Sequence, residues 1–162
     1  AASTAAGKPG CTVQASTGHT LEMDLPKAVG GADRGPQPVE LLVSSLLGCK
    51  TATAHFVARH LWQRPHNRID HIEFSQVVAE RDERGALTLP IGTLPPVTSA
   101  LLSVRGIATV TPAARAQGVI THEQVDELGH LVEVRCPVAA TLKAAGVDVD
   151  FEWRLGGRGE EE

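Results

Sequence analysis

One stretch of the chain, from Pro38 to about Gln63, limits the folds open to it. Proline is tolerated in the first turn of a helix, so a helix can start at Pro38, and it must stop before Pro65. Its first half, VELLVSSLLGCKTATAHFVA, is apolar or small on nearly every face. Such a helix is expected to be buried on all sides, at the centre of the fold. Ser44, Ser45, Gly48, Thr51, Ala52 and Ala54 are small enough to let a second helix or a sheet approach closely. The few strands of one 162-residue chain supply too little cover for it. A symmetric second protomer would complete that cover, so a homodimer is expected.

The segments around this helix read as mostly strands. Residues 1–10 are small and polar and read as a frayed arm. Cys11–Ser16 and Thr20–Leu25 alternate as strands around the turn Ser16-Thr17-Gly18, a β-hairpin. A loop rich in Gly and Pro follows, residues 26–38. Ile69–Glu80 is a long strand that changes face at Val77 and Val78. Arg81–Gly85 is a charged turn, Ala86–Leu89 can pair back briefly, and Ala100–Thr111 is another long strand. Thr121 with Gln124 forms a capping box for a helix over His122–Val134. Cys136-Pro137 opens a second short helix closed by Gly146, and Val147–Leu155 alternates as the last strand. Segregated strands and helices indicate an α+β fold and a single domain over residues 1–162, with a core at about 8–155 and flexible polar ends.

Composition removes several classes of function. Fifteen Lys and Arg against nineteen Asp and Glu give a net charge of -4, with no basic footprint for nucleic acid or an anionic membrane. Apolar residues at 42% rule out wholesale disorder. No run of eighteen uncharged apolar residues marks a membrane span. Residues 1–10 lack the apolar stretch of a signal peptide. The expectation is a cytoplasmic protein, or an organellar one if an N-terminal segment has been removed.

Candidate chemistry centres on sulfur. The seven histidines form no metal-ligand spacing, and no CxxC pair, GxSxG elbow or phosphate-binding glycine loop is present. Three cysteines, Cys11, Cys49 and Cys136, are too scattered for a disulfide scaffold. Cys136 stands before Pro137 at a helix start, where free N–H groups and Arg135 favour a thiolate, or where a small residue simply caps the helix. Cys49 is mid-helix and reads as a core residue, since burial raises a thiol pKa. It becomes reactive only if a cation reaches it. Lys50 points about 100° away around the helix, which leaves Lys8 and Arg34 from the preceding segment.

Two motifs resemble a known family. Gly30-Gly31, then Gly35-Pro36-Gln37-Pro38-Val39-Glu40-Leu41, runs into Leu47-Gly48-Cys49. Cys136-Pro137-Val138 with Thr141-Leu142 follows in the second half. Together they resemble the OsmC/Ohr superfamily of osmotically inducible and organic hydroperoxide resistance proteins, over about residues 8–155. The resemblance implies an intertwined homodimer with two curved antiparallel sheets around buried central helices. It implies a cysteine-based hydroperoxide reductase in which Cys49 attacks the peroxide and Cys136 resolves the sulfenic acid as a disulfide. A dithiol such as dihydrolipoamide would reduce that disulfide, and no cofactor, metal, nucleic acid or membrane is involved.

The family also holds its thiolate with an N-terminal arginine oriented by a glutamate. Here the aligned cation is Lys8, with Arg34 as substitute. Val39 occupies the position of the glutamate in many peroxidases, and Glu40 follows it. Lysine lacks the planar fork of arginine. The alternative is therefore a non-catalytic dimer that binds a small apolar or acyl ligand near Cys49. A structural dimer with packing cysteines is a third reading. All three place Cys49 and Cys136 close in space, with Cys11 outside any cycle.

Overall fold

The computed structural model describes residues 2–4, 9–62, 69–114, 116 and 119–157. Lys8 and Pro65 lie outside the described residues. Contacts divide the chain into two compact units, Ala1–Ser45 and Leu46–Glu162.

The first unit is built on a three-stranded antiparallel sheet, β1 (Ala2–Thr4), β2 (Cys11–Gln14) and β3 (Thr20–Met23), in that order. The hairpin expected between Cys11 and Leu25 is present, with Gly18 at φ 89° in its turn. The N-terminal arm is not simply frayed, because Ala2–Thr4 adds a strand to the hairpin edge, Ser3 opposite Thr12. Main-chain hydrogen bonds along an open edge need no particular side chains.

The loop after β3 is organised by Asp24, which is buried although carboxylates rarely are. Its carboxylate accepts hydrogen bonds from the N–H groups of Leu25 at 2.8 Å, Ala32 at 3.2 Å and Arg34 at 3.4 Å, and from the Arg34 guanidinium at 3.3 Å. Burial pushes the Asp24 carboxyl up, but the donors outweigh it and the net shift is downward. The same loop needs glycine at 31, where a Cβ would stand 1.7 Å from the Leu25 carbonyl oxygen. Helix α1 (Pro38–Leu61) begins in this unit with proline in its first turn.

The second unit holds a mixed sheet in the order β4 (Ile69–Arg81), β5 (Leu101–Pro112), β6 (Asp148–Leu155). β4 and β5 are antiparallel, with a register shift between Ser75 and Val78 and Gln76 at φ 51°. That bulge is the change of face legible at Val77-Val78. β5 and β6 run parallel, Val104 opposite Val149 and Ala108 opposite Trp153. The expectation of antiparallel pairing throughout is corrected at this one pair. A parallel neighbour requires a long crossover, and α3 (His122–Arg135) with α4 (Pro137–Ala144) supplies it. Ala86–Leu89 does not pair back; α2 (Arg84–Leu87) takes up its first two residues.

The core lies between α3 and the sheet. Val125, Leu128, Gly129 and Val132 recur at helical spacing and are buried. Val149, Phe151 and Trp153 alternate inward along β6. The capping box expected at Thr121 and Gln124 is formed. Helix α1 departs from its expected burial on all sides. It covers one stripe, Leu46, Lys50, Ala54, Val57 and Ala58, while Val39, Leu42 and Phe56 remain exposed. By length and composition alone α1 is long and apolar enough to cross a bilayer, and its buried stripe includes a lysine.

Candidate active site

Cys136 occupies the corner where α3 ends and α4 begins. Its N–H donates to the Val132 carbonyl and closes α3. Its backbone is extended, at φ -72° and ψ 113°, and Pro137 starts α4 behind it. The thiol is completely buried. From α1 the half-buried Cys49 shares a cleft with Pro137, the residue after Cys136, and its thiol acts on that of Cys136. Neither is in a disulfide.

Burial is the largest influence on Cys136 and pushes its thiol up. The N–H groups of Ala139 and Val138, at the start of α4, pull the other way without forming a cap hydrogen bond. Cys49 again pushes the thiol up. The net shift is upward. Of the two readings of Cys136 at a helix start, a thiolate favoured by helix ends is therefore outweighed by burial.

Cys49 faces a cleft of about 480 Å³ lined by Ala52, Thr53, Phe56, Arg135 and Pro137. A second hollow of about 390 Å³ shares Phe56 and Arg135 and extends to His60, Leu61 and Leu131. The Phe56 and His60 rings lie 4.6 Å apart between centroids. The walls are mostly apolar, with Arg135 as the cation shared by both hollows. The expectation that Cys49 is a core residue is thus corrected: the helix is turned so that its neighbour takes the core position.

That neighbour is Lys50, with no exposed surface. Its ammonium pairs with the Glu133 carboxylate and lies 4.7 Å from the Phe151 ring centroid. Glu133 also accepts from Lys143 at 2.9 Å. Burial pushes the Lys50 ammonium down in pKa, while Glu133 and the Cys136 thiol act to raise it. Sequence reasoning set Lys50 aside because it points away from Cys49. The missing signal was Glu133, three residues before Cys136, which no local pattern connects to α1.

The other candidates belong to the first unit. Arg34 pairs with Asp24, and the Glu40 carboxylate accepts from the Gln37 N–H at 2.8 Å, which satisfies the start of α1. Cys11 is on β2 opposite Met23. Among the described residues no three His, Cys, Asp or Glu side chains cluster to hold a metal.

Comparison with known proteins places the fold and the family. No curated protein matches the sequence. Solved structures that share the fold include three from bacteria. An OsmC-like protein from Mycoplasma pneumoniae is 17% identical, with TM-score 0.63 over 93% of this chain and 97% of that one. An organic hydroperoxide resistance protein OsmC from Legionella pneumophila is 16% identical, with TM-score 0.64 over 95% of each. An organic hydroperoxide resistance protein of Vibrio cholerae, with captopril in one active site, is 19% identical, with TM-score 0.63 over 94% and 88%. The family described as OsmC-like protein matches residues 30–152, which spans the glycine loop, both cysteine motifs and most of the last strand, and the chain belongs to that family.

Proposed function

We propose that the protein is a thiol-dependent peroxidase that reduces organic hydroperoxides. The observation that carries this reading is that Cys49 opens to an apolar cleft whose wall includes Pro137, with Cys136 buried next to that proline. Cys49, as thiolate, attacks the terminal peroxide oxygen. The O–O bond breaks, an alkoxide leaves and takes a proton, and Cys49 becomes a sulfenic acid. The Cys136 sulfur then attacks the Cys49 sulfur, water departs with the Cys136 proton, and a disulfide forms. A dithiol such as dihydrolipoamide returns both cysteines to thiols and is itself oxidised.

The apolar walls suit an alkyl or aryl group on the peroxide, and a dry site strengthens any cation acting on the thiolate. Arg135 is a cation in the same cleft. Lys8 or Arg34, with Glu40, is the remaining part of the proposed apparatus from the N-terminal region, and a second protomer completes the dimer. The alternative of a non-catalytic ligand-binding protein draws on one observation: Arg34 and Glu40 are each engaged with a different partner, Asp24 and the Gln37 N–H.

Turnover separates the two. With cumene hydroperoxide and excess dihydrolipoamide, the protein is expected to consume peroxide catalytically, with hydrogen peroxide slower. Cys49→Ser should abolish turnover, and Cys136→Ser should reduce it by at least about tenfold by removing resolution. Consumption no faster than that caused by the dithiol alone would sink the peroxidase reading in favour of ligand binding.

A further inference from the structure

The reductive half of the cycle raises a problem that the chain solves with a residue outside the resemblance. This inference rests on Cys49 and Cys136 acting as a redox pair. Cys136 has no exposed surface, whereas Cys49 lines the open cleft. An incoming thiolate therefore reaches the Cys49 sulfur, and Cys136 must depart as a thiolate into a buried site. Burial is the largest influence against that charge. A leaving thiol departs faster as its pKa falls, so the site needs a buried cation.

Lys50 is that cation. It follows Cys49 directly on α1, and Glu133, its partner, stands three residues before Cys136. The ion pair thus joins the two cysteine-bearing segments. The charged and titratable groups acting on the ammonium among the described residues are Glu133 on α3, Lys143 on α4 and the Cys136 thiol, and β6 contributes the Phe151 ring. One carboxylate, three residues before Cys136, serves two lysines.

We propose that Lys50 is a positioning residue of the thiol cycle, whose buried ammonium stabilises Cys136 as the leaving thiolate when an external thiol opens the Cys49–Cys136 disulfide. The step balances: the thiolate sulfur bonds to Cys49, the Cys49–Cys136 bond breaks with its electron pair on Cys136, and a second thiol then frees Cys49. The α4 N–H groups of Val138 and Ala139 assist from the other side.

The test bypasses peroxide. The disulfide is made with diamide, then opened with 2-mercaptoethanol at neutral pH, and the products are alkylated and mapped by mass spectrometry. The mixed disulfide should sit on Cys49 with Cys136 free. Lys50→Met should slow opening by about tenfold, the effect of a thiol pKa raised by roughly one to two units. Lys50→Arg keeps a cation at the same place that does not lose its proton on burial, so its opening should stay closer to that of the unaltered protein. If both variants slow alike, the pair is a structural strut and the proposal is overturned. It is equally overturned by a mixed disulfide on Cys136, or by no diamide-induced disulfide. Should Lys50→Met not fold, Lys50→Gln, which keeps a polar side chain without the charge, takes its place, and opening there at the unaltered rate contradicts the proposal. A protein inert to peroxide yet behaving as predicted here would retain this inference and lose only the peroxidase reading.

Discussion

At the scale of single residues, the two positions that shape this chain most are buried charges, and they work in opposite ways. Lys50 sits in the stripe of α1 that composition assigns to apolar side chains. Its register could not be read because nearly every face of the helix is apolar or small, so the hydrophobic pattern does not favour one rotation. Asp24 holds the glycine loop by accepting main-chain hydrogen bonds, and its carboxyl is lowered in pKa. A depressed folded-state pKa contributes stability that is present above the unfolded value of about 3.9 and lost as pH falls through the folded value. Urea midpoints of the unaltered protein should therefore fall more steeply below about pH 4 than those of Asp24→Asn. The variant should already be less stable at neutral pH. Parallel acid limbs for the two proteins would refute this role for Asp24.

At the scale of elements, the ends were legible and the pairing was not. Pro38, the Thr121 capping box and Cys136-Pro137 each fix a terminus through local chemistry, and each stands where it was expected. The parallel β5–β6 pair depends on where a crossover lands, which no local signal encodes. Segment 86–89 failed for a related reason: a strand needs a partner in register, whereas a single helical turn closes on itself, with the Leu87 N–H donating to the Glu83 carbonyl. Gly129 shows how closely α3 meets β6, since a Cβ there would stand 2.5 Å from the Trp153 ring. Alanine gains about 1 kcal/mol of helix propensity over glycine. Overpacking a core costs about 1–3 kcal/mol. Trp153 is buried and cannot swing aside, so Gly129→Ala should be destabilising and lower the melting temperature by several degrees. An unchanged or higher melting temperature would show that the α3–β6 packing is looser than described.

At the scale of the whole molecule, the apolar residues that α1 leaves open point to the predicted second protomer. Val39, Leu42 and Phe56 are exposed on a helix whose other stripe is in the core. Sizing with light scattering should return twice the chain mass of 17.1 kDa at micromolar concentration; a monomer would remove the dimer from the account. The candidate site was legible in part. Both cysteine motifs were legible, while Lys50 and Glu133 were not, because their link joins positions 83 residues apart.

The central claim is that Cys49 and Cys136 form one redox couple, and one equivalent of cumene hydroperoxide on the fully reduced protein tests it most directly. Free thiols are counted and disulfides mapped by mass spectrometry, with Cys49→Ser as control. The account predicts rapid loss of two thiols and a Cys49–Cys136 disulfide, both absent in the control. Thiols that react no faster than free cysteine, or a disulfide through Cys11, would contradict it.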